Sequence, residues 1–100
     1  MRVIAVSKLR EFWGRHADAE QPLRAWVAAV VAANWSTPMD ITSQFTTATI
    51  LKSRRVVFNI KGNDYRLVVA VAYKFGAAYV KFIGTHAEYD RIDASTVETG

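Results

Sequence analysis

The residues best suited to chemistry lie in one short stretch near the end of the chain, GTHAEYDRID at positions 84–93. It follows a run of apolar residues and brings together a histidine, a tyrosine and three carboxylates. Thr85 and Glu88 match the capping-box pattern, in which a hydroxyl and a carboxyl satisfy each other's backbone N–H groups at a helix start. The pattern therefore predicts a short C-terminal helix. It explains these two residues but not His86 or Tyr89.

His86 would occupy the first position of this helix. The helix dipole disfavours positive charge at that end, so it favours a neutral imidazole that can accept a proton near pH 7. The free N–H groups at a helix start can also bind a phosphate. Tyr89 follows on the same helical face. Asp90 could orient His86 or Arg66, although a carboxylate at a helix start needs no such role. A single His and Tyr at a helix start are structural more often than catalytic, so the pair suits phosphate chemistry without deciding it.

Several other reaction types lack the residues that they need. The chain has no cysteine, which removes disulfides and thiolate metal sites. No second histidine or carboxylate pair completes a metal site with His86, and the sequence has neither a Gly-rich phosphate loop nor a nucleophile elbow. The N-terminus lacks a signal-peptide run, and the longest apolar stretch, residues 25–33, is too short to span a membrane. A cytoplasmic location is therefore expected.

Positive charge is concentrated in the second half of the chain. Residues 41–87 contain seven Lys and Arg against one acid, Asp64, which gives this segment a net charge of +6, while the whole chain carries +4. A block this one-sided is a plausible footprint for a polyanion such as RNA. Cations that merely solvate exposed strand faces would give the same pattern, so charge alone leaves both interpretations open. The seven are Lys52, Arg54, Arg55, Lys61, Arg66, Lys74 and Lys81.

The first third of the chain predicts a strand and two helices. Residues 2–6 are typical of a strand, Ser7 would cap a first helix, and a second helix would follow Pro22 with one apolar face. The short connection makes the two helices an antiparallel hairpin. The alanines on the other face of the second helix predict that it is covered on more than one side.

The rest of the chain predicts a loop and a sheet. Residues 34–54 are typical of an ordered loop with one short element. Residues 55–60, 65–74 and 78–83 predict three strands of an antiparallel meander, joined by glycine-containing turns. With 51% apolar residues the chain can build one core, so residues 1–100 predict a single α+β domain. Its helices would pack on one face of a small antiparallel sheet made of the N-terminal strand and the meander.

Three of the cations fall inside these predicted strands. Arg66 and Lys74 are an even number of residues apart on one strand, so they should point to the same face at opposite ends. If Val80 and Phe82 both pack into the core, Lys81 between them must face outward. Charged residues in such apolar strands are uncommon unless they reach water or a partner. Lys74 alone is best interpreted as a sheet-edge residue, whereas Arg66 and Lys81 together indicate function.

Two segments of the chain match motifs of a known family. Residues 57–68, VFNIKGNDYRLV, resemble an FNIxGNxYRL core, and residues 81–84, KFIG, are followed at 85–90 by THAEYD, which resembles a THxEYD motif. Both are typical of HigB-type toxins, which belong to the RelE-like superfamily of bacterial toxin–antitoxin systems. The specific resemblance covers about residues 55–93. The N-terminal strand and helices agree with the RelE-like fold but carry weaker motifs.

The resemblance implies an endoribonuclease, an mRNA interferase that cuts mRNA, generally on the translating ribosome, and so inhibits translation and growth. It implies a reaction without a metal or any other cofactor. It also implies a partner, a HigA-like helix-turn-helix antitoxin encoded by the adjacent gene.

The same resemblance suggests a role for each candidate residue. His86 would be the general base or acid, Arg66 and Lys81 would stabilise the phosphate, and Tyr89 would orient or stack a nucleotide. Asn59 and Asn63 would position the RNA backbone or a base. The other predicted RNA-binding residues are Lys61, Lys74, Arg54 and Arg55.

Three other interpretations fit the sequence. A non-catalytic RNA-binding domain would use the same basic block without needing His86, and RNA fragments from a co-expressed message would distinguish it from a nuclease. A protein-interaction module would use the alanine face of the second helix and residues 34–54, which purification with the product of the neighbouring gene would test. An inactive member of the family would keep the same motifs.

Overall fold

One mixed sheet organises the fold in a computed structural model, which describes residues 1–98. Within those residues the strands are β1 (Arg2–Ile4), β2 (Thr49–Ile50), β3 (Arg55–Ile60), β4 (Tyr65–Ala72) and β5 (Ala77–Thr85), in the order β1-β5-β4-β3-β2. The meander β3–β4–β5 is antiparallel, as predicted. β1, however, runs parallel to β5, so the sheet is not purely antiparallel. The predicted loop also supplies the edge strand β2.

Residues 1–98 form four α-helices: α1 (Val6–Arg15), α2 (Glu20–Ala32), α3 (Pro38–Gln44) and α4 (His86–Tyr89). The α+β fold class is confirmed, and α3 lies within residues 34–54, where the sequence predicts one short element. α1 begins at Val6, before the predicted cap, and Ser7 lies inside its first turn. α3 starts at a capping box between Thr37 and Asp40, with Pro38 in its first turn. The three-residue spacing of Thr37 and Asp40, together with Pro38, explains why a segment rich in Ser and Thr still forms a helix.

The main core lies between the first three helices and one face of the sheet. Leu9, Leu23 and Ile41, one from each helix, are fully buried there. From β3, Phe58 packs into the same core, and its ring centroid lies 5.3 Å from that of Trp26 and 5.1 Å from that of Phe45. This layer fixes the sheet, and therefore the side chains on its other face.

The second face of the sheet is covered in its middle by the end of the chain. We call residues 90–98 the C-terminal segment. Val57 on β3 and Val68 on β4 form a small apolar cluster with Ala94 of that segment, and Phe82 and Tyr89 pack against it. The expectation that all helices lie on one face of the sheet is therefore wrong for α4, because Tyr89 joins this second cluster.

Arg55 anchors the C-terminal segment to the sheet. It is only 6% exposed, and its guanidinium donates hydrogen bonds to the carbonyl oxygens of Ala94 and Val97 and to the Glu98 carboxylate, 2.6 Å away. A buried charge needs such partners, because burying it unpaired costs several kcal/mol. The expected placement of Arg55 on the surface, available to RNA, is wrong because these contacts enclose its side chain.

The variant Arg55→Ala is expected to lower the free energy of unfolding by about 1.5–3 kcal/mol, because it removes charged hydrogen bonds and loosens the C-terminal segment. Urea denaturation measures this loss. Arg54→Ala is the matched control, since its exposed side chain should cost no more than about 0.5 kcal/mol. Equal losses in the two variants would show that apolar contacts alone hold the segment.

The alanine-rich face of α2 is open. Ala25, Ala28 and Ala32 are exposed, and Val31 is 56% exposed. The prediction that α2 is covered on more than one side is therefore wrong for the described part of this chain. None of the helices in residues 1–98 has the length and apolar character that a membrane crossing requires.

Candidate functional site

The cap predicted at the start of α4 is confirmed. The Glu88 backbone N–H donates to the Thr85 hydroxyl at 3.2 Å, and the Thr85 backbone N–H donates to the Glu88 carboxylate at 2.8 Å. That backbone hydrogen bond from Thr85 holds the pKa of the Glu88 carboxyl below its ordinary value. Both residues are thus used structurally, and they fix the point where the chain leaves β5.

His86 stands directly after this cap with an exposed imidazole. Its Nδ1 lies 3.2 Å from the Asp90 carboxylate, one helical turn on, and its backbone N–H donates to the Asp64 carbonyl oxygen at 3.2 Å. The first contact gives the ring a partner that can fix its orientation and tautomer. The second ties the start of α4 to the β3–β4 turn. A base oriented by a carboxylate at an open surface can remove a proton from a bound hydroxyl.

Arg66 is a candidate cation on β4 that lies at the same end of the sheet as His86. It pairs with Asn59 on β3 and with Gly84 on β5, two residues before His86. Its guanidinium donates to the Asn63 carbonyl oxygen at 3.2 Å and to the Asn63 side chain at 3.4 Å. The structure therefore brings five of the predicted site residues to one end of the sheet: Asn59, Lys61, Asn63, Arg66 and His86.

Lys81 lies further along β5, beyond the apolar cluster. The β4–β5 register shifts at Lys81, because Val68 pairs with Phe82 and Val69 with Val80. This bulge places Val80 in the main core and Phe82 in the second cluster. The assumption that both point into one core is therefore wrong. Four residues of strand, about 13 Å, separate Lys81 from Thr85 at the site's end of the strand.

A carboxylate of the C-terminal segment forms an ion pair with Lys81. The Lys81 ammonium lies 2.8 Å from Glu98, which also pairs with Arg55. Hydrogen bonds from Lys81 and then from Arg55 hold the pKa of Glu98 below its ordinary value, so the carboxylate is negative at neutral pH. The Lys81 side chain remains 25% exposed, and that of Glu98 60%. An ion pair this exposed contributes little stability and can exchange for another anion.

The Tyr89 side chain is half-buried rather than fully exposed. Its ring lies 6.5 Å from that of Phe82, over the second apolar cluster. One side of the ring is therefore used in packing. The rest borders a surface cavity of about 600 Å³ that the C-terminal segment also lines.

Lys61 takes part in a polar network that sequence reasoning missed. Its ammonium lies 2.7 Å from Asp18 and 3.4 Å from Asp64. The buried Tyr65 hydroxyl donates to the other oxygen of Asp18. The network ties the α1–α2 connection to the β3–β4 turn beside His86. No sequence motif marks Asp18, because its partners are more than 40 residues away.

This network predicts a pH dependence of stability. Hydrogen bonds from Lys61 and then from Tyr65 hold the pKa of Asp18 below its usual 3.8, so its contribution is complete above that value and is lost as the pH falls through the lowered pKa. Asp18 in turn raises the pKa of Lys61 above 10.5, so that contribution is lost at strongly alkaline pH. We expect Asp18→Asn to flatten the fall in thermal stability below about pH 4.

Melting temperatures measured from pH 2 to pH 7 test this expectation. The exposed Glu11→Gln on α1 is the matched control, because its side chain makes no hydrogen bond or ion pair within residues 1–98. If the melting temperature falls equally steeply at acid pH in Asp18→Asn and in wild type, the pH dependence does not come from Asp18.

Arg54 and Lys74 lie at the opposite end of the sheet from His86. β4 ends at Ala72, and Lys74 belongs to a 3₁₀ turn at Tyr73–Phe75. The prediction that Lys74 points from the strand to the same face as Arg66 is therefore wrong. Sequence reasoning also missed Glu98, because pairing across the fold leaves no spacing signal.

No cluster of three or more His, Cys, Asp or Glu side chains suited to a metal ion occurs in residues 1–98. A family model described as HigB_toxin, the RelE-like toxic component of a toxin–antitoxin system, matches residues 19–92. The match covers almost three quarters of the chain, from the end of the α1–α2 connection to the residues after α4. The chain belongs to the HigB toxin family. The resemblance inferred from the two motifs is thus confirmed, and the matched region also includes the helices α2 and α3.

Comparison with curated proteins gave no significant match. As a HigB-family toxin, the protein is the toxic component of a toxin–antitoxin system, which implies an antitoxin partner. The match includes β3, β4, β5 and α4, so every candidate residue from Asn59 to Tyr89 lies within the matched region.

Proposed function

We propose that this HigB-family toxin is an endoribonuclease that cuts mRNA, on the ribosome, by activating a ribose 2′-hydroxyl against the neighbouring phosphate. The observation that carries the proposal is the position of Arg66 and His86 at one end of the sheet, with the imidazole held by Asp90 at 3.2 Å. RelE-like toxins are generally ribonucleases, which supports the same reaction class.

The proposed reaction assigns a step to each residue. His86 removes the proton from the 2′-hydroxyl, and the resulting 2′-oxygen attacks phosphorus to give a 2′,3′-cyclic phosphate. Arg66 stabilises the charge that develops on the phosphoryl oxygens. The 5′-oxygen leaves and takes a proton from solvent. Asn59 and Asn63 position the strand, and the open edge of Tyr89 orients a nucleotide.

Lys81 is assigned to the phosphate next to the reacting one. Its distance along β5 from His86 places it outside the reacting group itself, and its side chain points to the face that the C-terminal segment partly covers. An RNA phosphate would replace Glu98 on the ammonium. This exchange costs little because the ion pair is exposed.

The experiment that tests the function uses defined RNA bound to programmed ribosomes. Products are expected to carry 2′,3′-cyclic phosphate and 5′-hydroxyl ends. A single 2′-deoxyribose placed at a mapped cut is expected to abolish that cut and leave the others. Cutting at the deoxyribose would contradict the mechanism, and RNA that stays intact with wild-type protein would favour a non-catalytic binding domain.

We further propose that the antitoxin is a HigA-like helix-turn-helix protein encoded by the adjacent gene, and that the toxin acts in the cytoplasm. The family assignment supports an antitoxin, and the open α2 face and the groove of about 230 Å³ beside Trp13 offer it apolar surface. Co-expression with the adjacent gene is expected to restore growth and yield a stable complex. Toxicity that persists in the presence of that product would contradict the pairing.

A further inference from the structure

The end of the sheet opposite His86 carries an exposed aromatic ring among unpaired cations. Phe75 is 74% exposed, in the 3₁₀ turn between β4 and β5, and Gly76 with φ +61° closes that turn. An aromatic side chain this open gains little from burial, and both faces of its ring are accessible to a ligand. We call Phe75 and its neighbours Arg54 and Lys74 the β4–β5 patch.

A backbone hydrogen bond holds Arg54 beside the end of β4, close to the turn that carries Lys74 and Phe75. The Val71 backbone N–H donates to the Arg54 carbonyl oxygen at 2.8 Å, which ties the start of β3 to the end of β4. Arg54, Lys74 and Phe75 then line one surface cavity of about 250 Å³, with Ala72 and Tyr73 as its other walls. The patch is thus a formed concave site rather than three independent side chains.

The charge of the patch is positive and uncompensated. Within residues 1–98, neither Arg54 nor Lys74 makes a side-chain hydrogen bond or ion pair, in contrast to Lys61, Lys81 and Arg55. The only acid in residues 41–87, Asp64, lies in the turn at the other end of the sheet.

The walls of the patch also carry no competing negative charge. Burial, and then the nearby Asp40, raise the pKa of Tyr73, so its hydroxyl keeps its proton at neutral pH. Asp40 itself is held by the backbone N–H groups of Ser36 and Thr37, at 2.8 and 3.1 Å. These hydrogen bonds lower the pKa of Asp40, so it stays negatively charged, but it lies outside the lining of the cavity, which contains no carboxylate.

We propose that the β4–β5 patch binds single-stranded RNA, with one base stacked on Phe75 and the flanking phosphates on Arg54 and Lys74. A ring between two cations matches the alternation of base and phosphate along a single strand, and such stacking tolerates any base. The patch goes beyond the proposed function because binding there needs no cleavage. It lies about 23 Å from the His86 end, the length of the seven steps between the eight paired residues of β4, and so gives the protein a footprint of several nucleotides.

The test measures binding of a fluorescent 2′-O-methyl RNA 12-mer by anisotropy. This probe has no free 2′-hydroxyl, so it resists the proposed cleavage, and the result does not depend on whether the protein is a nuclease. Phe75→Ala is expected to weaken binding about 5- to 150-fold, whereas Phe75→Tyr keeps a ring and should bind as wild type does. Arg54→Ala and Lys74→Ala should each reduce the logarithmic salt dependence by about 0.7.

Two controls match these changes on the helical side of the molecule. Val31→Ala removes another exposed apolar side chain from α2, and Arg10→Ala removes one charge from α1. Both are expected to bind as wild type does. Wild-type affinity in Phe75→Ala would overturn the proposal, as would equal losses in Arg10→Ala and Lys74→Ala. Unchanged RNA binding with lost antitoxin binding in Phe75→Ala would likewise overturn it, by assigning the patch to the protein partner.

Discussion

The variant His86→Ala is expected to cut RNA about 10²- to 10⁴-fold more slowly than wild type, the range that a positioned general base contributes. The imidazole is exposed and held by Asp90, so its loss removes the proton acceptor without removing a packing contact. Fold and stability should therefore be unchanged. Single-turnover cleavage of ribosome-bound RNA measures the loss, and circular dichroism confirms the fold.

The second histidine of the chain supplies the control for this experiment. His16 stacks on Phe12 at 4.4 Å and contacts Tyr65, on the helical side of the sheet. His16→Gln should keep a cleavage rate near that of wild type even if it lowers stability. Asp90→Asn should give a smaller loss than His86→Ala, because it affects only the orientation of the ring. A His86→Ala protein that cuts at the wild-type rate would remove His86 from the mechanism.

The variant Lys81→Ala is expected to weaken RNA binding about 10- to 100-fold, the effect of losing one charged hydrogen bond to phosphate. The logarithmic salt dependence of binding should fall by about 0.7, since one fewer counterion is released. Glu98→Gln should act in the opposite direction and tighten binding by up to about fivefold, because it removes the carboxylate that competes for the ammonium. Gln is the suitable substitution because its carbonyl oxygen still accepts from Arg55.

The two changes together test whether Glu98 acts through Lys81. If it does, Glu98→Gln tightens binding only when Lys81 is present, and the double variant binds as Lys81→Ala does. Anisotropy with the 2′-O-methyl RNA measures all four proteins. Independent effects would show that Glu98 repels RNA from elsewhere on the surface, and an unchanged affinity in Lys81→Ala would remove Lys81 from the RNA site.

Local sequence rules predicted the parts of this fold that depend on neighbouring residues. The capping box at Thr85 and Glu88 appears as expected, because both partners lie within one turn. β4 is covered on both faces, as its almost continuous apolar run indicated. His86 and Arg66 reach the same end of the sheet because meander register follows from short turns.

The sequence did not predict the features that depend on pairing between distant residues. The bulge at Lys81 moves Phe82 to the second face, which strict alternation does not anticipate. Arg55 is buried because the C-terminal segment returns to it from more than 40 residues away. Glu98 could not be assigned to Lys81 because no motif or spacing rule links residues 17 positions apart in different elements. The net charge of residues 41–87 gave all seven cations equal weight, whereas the fold leaves only some of their side chains accessible to a ligand.

The parallel pairing of β1 with β5 has a consequence for the order in which the chain folds. Arg2 lies beside Ala77, 75 residues away, whereas β3 and β4 close a turn of only four residues. Closing the longer loop costs about 2–3 kcal/mol more in chain entropy, so the meander should fold first and β1 should join last. Because β1 pairs only with β5, a nascent chain on the ribosome carries an incomplete sheet until residues 77–85 have been synthesised.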